Sequence, residues 1–221
     1  MTGLRRRADK RSVRAVAQPA RKTSEHDIRK YFDTRIGKTM VMVCAGKAYV
    51  TDDPDEVVST ILGSCVSACV RDPWSGLGGM NHFMLPDNKS GDWHSGGVGK
   101  ALRYGNHAME VLINKIQASG CRRDQMEIKV FGGANVTKGS HLIGSGNVEF
   151  IEWYLKNEGL KSQASDLGGT SPRRVNFWPV TGKVMIKRLT RKSDTDIFKG
   201  EEELPPRRDL RSDEGSIELF D

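Results

Sequence analysis

The sequence predicts an α/β (α+β) domain, a layered sandwich in which a mixed β-sheet packs against two main helices. Three observations favour this class. The first half contains short segments rich in apolar and β-branched residues, two later segments have helical periodicity, and strand patterns recur between and after them. At 221 residues, the chain is long enough to bury one substantial core.

Strands dominate the first half. Met40–Cys44 and Val57–Leu62 are apolar and rich in β-branched residues, as buried strands are. Cys65–Arg71 then alternates apolar and polar residues, although the start of a short helix stays open as an alternative. Asp72–Gly76 has turn composition and Leu77–Leu85 returns as a strand, which together predict a hairpin.

Two helices are predicted in the second half. Apolar residues between Ala101 and Ile116 recur on one helical face, and Gly120 is placed to end that helix. Asparagine is a preferred N-cap residue, so Asn147 is predicted to begin a second helix, which ends at Gly159.

Further strands surround these helices. Met126–Val130 alternates as a strand, and Val175–Trp178 with Lys183–Leu189 predicts a final hairpin across Thr181-Gly182. The polar, glycine-rich stretch Asp87–Gly97 reads as a loop.

The charge distribution predicts three regions. Residues 1–22 contain eight Lys/Arg and one acidic residue, so residues 1–24 are expected to form a disordered basic arm. Residues 193–221 contain four Lys/Arg and ten acidic residues and are expected to form a disordered acidic tail. The folded domain is therefore assigned to residues 25–192. The arm could bind phosphates non-specifically, but no motif for specific nucleic-acid recognition is present.

A cytoplasmic location is expected. No apolar run approaches the roughly 20 residues that a membrane-spanning helix needs. The Arg-rich N-terminus lacks the apolar stretch of a secretory signal, while an organelle transit peptide stays open.

Cysteine is the first candidate for chemistry. None of Cys44, Cys65, Cys69 and Cys121 forms a C-x-x-C pair, which argues against a zinc or thioredoxin-like site. Cys65 follows Leu62-Gly63-Ser64, so a strand ends in a Gly-Ser bend that delivers the thiol. Such a bend can expose the sulfur and place backbone N–H groups near it. A packed core cysteine is the alternative reading of this segment alone.

His82 is the second candidate. If Cys65–Val70 and Leu77–Leu85 pair across the turn, Cys65 lies nine residues before Trp74 and His82 lies eight after it. The two residues then lie nearly opposite each other, with Cβ atoms about 4.5–5.5 Å apart. This arrangement suits a thiolate–imidazolium pair, in which His82 lowers the pKa of Cys65.

Several separated motifs in order give the chain a resemblance to a known family, the CheD-type chemoreceptor glutamine deamidases. The resemblance runs from about Val41 to Leu189. The motifs that carry it are Leu62-Gly63-Ser64-Cys65-Val66, Gly79-Met80-Asn81-His82-Phe83-Met84-Leu85-Pro86, Arg103-Tyr104-Gly105 with Ala108-Met109, Lys129-Val130-Phe131-Gly132-Gly133-Ala134, Ile143-Gly144 with Asn147, and Asp166-Leu167-Gly168-Gly169.

The resemblance implies an enzyme, a protein-glutamine glutaminase of cysteine-dependent amidohydrolase type, in residues 25–192. Cys65 would be the nucleophile and His82 the base, with no cofactor or metal. The family pattern places a catalytic threonine six residues before the cysteine. Here that position is Ser59, and Thr60 follows it, so either hydroxyl could orient His82.

The resemblance also implies partners. The substrates would be the cytoplasmic helices of methyl-accepting chemoreceptors, and a CheC-type phosphatase is a possible partner. The alternative is a non-catalytic interaction protein that binds such a phosphatase or a receptor.

Overall fold

A computed structural model describes residues 28–85, 100–136, 141–189 and 217–220. Two β-sheets pack face to face, and two helices cover the outer face of one of them, giving three layers. This architecture confirms the predicted α+β layered class. The basic arm (1–24) and the Asp87–Gly97 loop lie outside the described residues, so the predicted domain boundaries stay predictions.

The first sheet has six strands and is mixed. Strand β2 pairs with β4 in parallel, and the other neighbours in the order β1-β2-β4-β9-β10-β11 are antiparallel. The strands are β1 (Ile28–Asp33), β2 (Lys38–Val43), β4 (Glu56–Leu62), β9 (Arg173–Phe177), β10 (Val184–Arg188) and β11 (Ile217–Phe220).

The second sheet has five strands in the order β3-β6-β5-β7-β8, and only β7 and β8 pair in parallel. The strands are β3 (Lys47–Thr51), β5 (Val66–Arg71), β6 (Gly78–His82), β7 (Glu127–Gly132) and β8 (Ser162–Leu167). The predicted hairpin is confirmed, because β5 and β6 pair antiparallel across the turn.

The helices are α1 (Lys100–Gln117) and α2 (His141–Asn157), with a short 3-10 turn at Arg123–Gln125. The apolar face of α1 is buried against β5 and β6, as its periodicity predicts, and Gly120 follows with φ near +94°. None of the helices in the described part of the chain is long and apolar enough to cross a membrane.

The prediction for Asn147 is wrong. Helix α2 already contains His141, so Asn147 lies in its interior and cannot be its N-cap. Its side chain is fully buried and bonds to groups on distant loops. These tertiary partners satisfy the amide inside a helix, where asparagine is intrinsically unfavourable.

The predicted final hairpin is confirmed by the pairing of β9 with β10. The sequence patterns did not predict the edge strands β1, β3 and β8, which have little apolar alternation. Ile217–Phe220 lies within the segment predicted as an acidic tail, and the structure describes it as strand β11 paired with β10. The rest of that segment lies outside the described residues.

Candidate active site

The register of the β5–β6 hairpin determines which residues share a face. Cys69 lies opposite Met80, and a bridge between Val66 and Phe83 continues the same register to the open end of the hairpin. The two residues of this bridge exchange both backbone hydrogen bonds, each 3.0 Å long. The pairing is interrupted beyond Cys69, where the Ala68 amide donates to the side chain of Asn81, and resumes at the bridge next to the Gly-Ser bend.

In this register Cys65 and His82 are diagonal neighbours across the two strands, whereas the sequence count predicts that they lie nearly opposite each other. His82 lies opposite Ser67, and Cys65 lies two residues before Ser67 on the same face. Diagonal neighbours of this kind have Cα atoms about 7–8 Å apart, still within reach of long side chains. The two residues thus share the face that packs on the six-stranded sheet.

The contacts of Thr60 favour one tautomer of His82. The Thr60 hydroxyl lies 2.8 Å from the carbonyl oxygen of Val43, which can only accept, and the Thr60 hydroxyl oxygen lies 2.8 Å from Nδ1 of His82. With the single hydroxyl proton directed at Val43, Nδ1 carries a hydrogen that it donates to Thr60. In this assignment the lone pair of the neutral ring is on Nε2.

Nε2 of His82 is buried and has no hydrogen-bond partner among the described residues. Burial also lowers the pKa of His82 from 6.5 to about 4, because desolvation penalises the charged imidazolium. At neutral pH the isolated ring is thus an uncharged base. Burial opposes the thiolate–imidazolium pair that the sequence suggests, so that pair stays a prediction.

Ser59 does not orient His82, which corrects one of the two readings of this position. Successive side chains of β4 point to opposite faces of its sheet. Thr60 faces the other sheet and reaches His82, whereas Ser59 faces away and donates to Oδ1 of Asn176 at 2.6 Å. The partner of His82 is therefore Thr60.

Backbone contacts hold the bend that carries Cys65. The amide of Gly133 donates to the Cys65 carbonyl at 2.7 Å, and that of Ala134 donates to the Gly63 carbonyl at 2.8 Å. Gly132 adopts φ near +112°, and a Cβ there would lie 2.2 Å from the Cys65 carbonyl oxygen. The Gly132-Gly133 pair thus permits close backbone packing.

Asn81 is a buried residue of the site that sequence reasoning did not single out. Its Oδ1 accepts from the Ala68 amide at 2.8 Å, and its Nδ2 donates to the Ala108 carbonyl of α1 at 3.0 Å. It therefore ties the strand of His82 to both β5 and α1. The sequence contains one signal that could have identified it, a polar residue next to a histidine within an otherwise apolar strand.

The other cysteines have different surroundings. Cys69 is buried between the sheets, and desolvation raises the pKa of its thiol strongly. Burial raises the pKa of Cys121 to about 11, with Asp72 adding to the effect. Cys44 and Cys65 are half-buried. Of these two half-buried cysteines, Cys65 is the one on the face and hairpin of His82.

No group of three or more His, Cys, Asp or Glu side chains in the described ranges is arranged to hold a metal ion.

Comparison with known proteins gives consistent matches. Residues 84–188 match the family model for CheD, described as chemotactic sensory transduction. This range begins after Cys65 and His82, so it does not contain the candidate pair. Among solved structures, a Bacillus licheniformis hypothetical protein, YfiH, aligns with 53% of this chain and 49% of its own at 16% identity and a TM-score of 0.35, which is too distant to bear on function.

Full-length relatives are closer. A probable chemoreceptor glutamine deamidase CheD of Rhodopseudomonas palustris is 44% identical over 92% of this chain and 95% of its own. The protein of the same description from Hahella chejuensis is 43% identical over 83% and 86%, and that from Caulobacter vibrioides is 51% identical over 65% and 75%. The chain therefore belongs to the CheD family of probable chemoreceptor glutamine deamidases.

Proposed function

We propose that this protein deamidates glutamine side chains in the cytoplasmic helices of methyl-accepting chemoreceptors, with Cys65 as nucleophile and His82 as base. The products are protein-bound glutamate and ammonia, and the reaction serves chemotaxis signalling. Because the substrate helices are cytoplasmic, the protein acts in the cytoplasm. The substrate class rests on relatives whose names describe chemoreceptor glutamine deamidases.

One observation carries the roles of the residues. Nδ1 of His82 contacts Thr60, and Nε2, which is basic in the tautomer assigned above, is buried, unpartnered among the described residues and on the face of Cys65. A general base needs this combination of a fixed tautomer and an available lone pair.

The first half of the reaction acylates Cys65. Nε2 of His82 takes the proton of the thiol, and the sulfur attacks the carboxamide carbon of the glutamine. The C–N bond then breaks, and the imidazolium gives its proton to the departing ammonia. During this step Thr60 accepts the Nδ1 hydrogen bond and holds the ring in place.

The second half returns the enzyme to its starting state. Nε2 takes a proton from water, the resulting hydroxide attacks the thioester carbon, and the C–S bond breaks. The released thiolate recovers the proton from His82, and the substrate residue is now glutamate. The chemistry uses the side chains of the protein and water alone.

The oxyanion needs backbone donors near the bend. The amide of Val66 is already used, because it donates to the Phe83 carbonyl at 3.0 Å. Of the amides of Ser64 and Val66, that of Ser64 is therefore the one proposed for this role.

The test is deamidation of purified receptor cytoplasmic fragments, followed by mass spectrometry of the Gln-to-Glu conversion and by ammonia release. Cys65→Ala and His82→Ala should each lower turnover by on the order of 100- to 10,000-fold. Cys44→Ala is the matched control, because it removes another half-buried thiol. Full turnover in Cys65→Ala would end the proposed mechanism.

The same variants test the alternative of a non-catalytic interaction protein. If wild-type protein binds receptor fragments or a CheC-type phosphatase but converts no glutamine, the binding role is correct. We propose that both partners bind while only the receptor is modified. Cys65→Ala should then keep its binding affinity for both.

A further inference from the structure

Asn147 links the two segments that carry the proposed nucleophile and base. Its Nδ2 donates to the Ser64 carbonyl at 2.7 Å, and its Oδ1 accepts from the Leu85 amide at 2.8 Å. Ser64 immediately precedes Cys65, and Leu85 follows His82 by three residues. One buried amide on α2 thus bridges both sides of the hairpin beyond its last paired residues, Val66 and Phe83.

The bond to Ser64 constrains the peptide unit of the nucleophile. A peptide group is planar and trans, so the direction of the Ser64 carbonyl fixes the direction of the Cys65 N–H. The flanking carbonyls of Gly63 and Cys65 accept from main-chain amides, which a side-chain substitution leaves in place. Ser64 lies between these two residues, and its carbonyl accepts a hydrogen bond from the side chain of Asn147.

The helix that carries Asn147 is held firmly against the bend. A Cβ at Gly144, one turn earlier, would lie 2.8 Å from the carbonyl oxygens of both Gly133 and Ala134. A Cβ at Gly133 would lie 2.3 Å from Cγ2 of Val148. Helix α2 and the loop that supports Cys65 are therefore in backbone contact, which leaves the Asn147 amide little room to move.

We propose that Asn147 is a positioning residue that sets the orientation of the Ser64–Cys65 peptide relative to His82. The inference rests on the proposed roles of Cys65 and His82. A purely structural role would predict a loss of stability alone. A positioning role predicts altered thiol reactivity and a lower kcat even in protein that is fully folded.

Two substitutions separate these roles. Asn147→Ala removes both hydrogen bonds. Asn147→Asp keeps an acceptor for the Leu85 amide but, when its carboxyl is ionised at about pH 8, has no donor for Ser64. Lys129→Met is the control, because Lys129 is also buried and donates to two backbone carbonyls, those of Gly182 and Phe220, away from the bend.

The first readout is steady-state deamidation of a receptor fragment at a temperature where each variant is folded. We expect kcat to fall on the order of 10- to 100-fold in both Asn147 variants with little change in KM, because misplaced reacting groups affect chemistry more than binding. Lys129→Met should have a lower melting temperature but an unchanged kcat. If Asn147→Ala fails to fold, the Asp variant decides.

The second readout needs no substrate, so it stays informative if the deamidase proposal fails. The pH dependence of Cys65 alkylation by iodoacetamide is measured in a Cys44→Ala background. We expect both Asn147 variants to react more slowly than the parent near neutral pH, with a shifted profile. Unchanged kcat and an unchanged alkylation profile in folded Asn147 variants would overturn the proposal and leave a structural role.

Discussion

The two faces of the five-stranded sheet are both buried, but against different neighbours and with different composition. On β5, Val66, Ala68 and Val70 face the helices, and Ser67 and Cys69 face the other sheet. The helix-facing layer is mainly apolar and includes an edge-to-face pair of Phe83 and Phe150 with centroids 5.7 Å apart. Its apolar side chains contribute stability, and the buried amides of Asn81 and Asn147 are the polar groups described above.

The inter-sheet layer changes character along its length. Around Cys69 it is apolar, and toward the open end of the hairpin it contains Thr60, His82 and the half-buried Cys65. Burial lowers the pKa of His82 and so keeps its ring uncharged, while Cys65 is more exposed than Cys69. From this comparison we expect that position along one layer separates an inert cysteine, Cys69, from a reactive one, Cys65.

The largest expected effect concerns the two cysteines on this face. Cys65 should be alkylated by iodoacetamide in the native protein, whereas Cys69 should react only after unfolding, which populates about 10⁻³–10⁻⁶ of molecules. We therefore expect rates that differ by at least about 1,000-fold, measured by peptide mass mapping. In His82→Ala the Cys65 rate should fall near neutral pH. Equal labelling of both thiols would show that the reagent reaches the inter-sheet layer along its whole length.

The second effect tests the structural role of the apolar side chains in the helix-facing layer. Leu112→Ala removes a fully buried side chain of α1 and should lower the free energy of unfolding by about 2–5 kcal/mol. Exposed Asn114→Ala on the same helix is the control, with an expected change within about 0.5 kcal/mol. Denaturant melts measure both. The alkylation profile of folded Leu112→Ala should match wild type, and a shifted profile would mean that the two layers are coupled.

The third effect is the pH dependence that His82 confers on stability. Its folded-state pKa is lowered to about 4 from 6.5, so between these values the unfolded chain binds more protons than the folded protein. The free energy of unfolding should therefore fall as pH drops through this window, by roughly 3 kcal/mol in total. The difference between wild type and His82→Gln in denaturant melts isolates this contribution. A flat difference across this window would show that folding does not lower the pKa of His82.

The smallest effect compares two adjacent hydroxyls on opposite faces of β4. Thr60→Ala leaves Nδ1 of His82 without its hydrogen-bond partner. We expect this to raise the activation free energy by about 1–3 kcal/mol, which corresponds to a roughly 5- to 150-fold lower kcat. Ser59→Ala should keep near-normal turnover, because Ser59 contacts Asn176 instead. Thr60→Ser should restore most of the activity. A larger loss in Ser59→Ala than in Thr60→Ala would reverse the assignment.

Local chemistry made much of the fold predictable. The alternation of Cys65–Arg71, the Asp72–Gly76 turn and the return strand predict a hairpin, because period-two alternation and turn residues act over short distances. The same alternation puts Cys65 and His82 on one face. Only the offset between them needed the observed register, in which His82 lies opposite Ser67.

The sequence alone therefore determined the hairpin and the apolar face of α1, and its motifs indicated the family; the pairing of Cys65 with His82 stays a prediction. Tertiary structure decided that Thr60 and not Ser59 contacts His82, because β4 and β6 belong to different sheets and only their packing selects a face. It also decided the place of Asn147, whose partners lie 83 and 62 residues away along the chain. Contacts between such distant segments depend on how the layers pack, which no local pattern specifies.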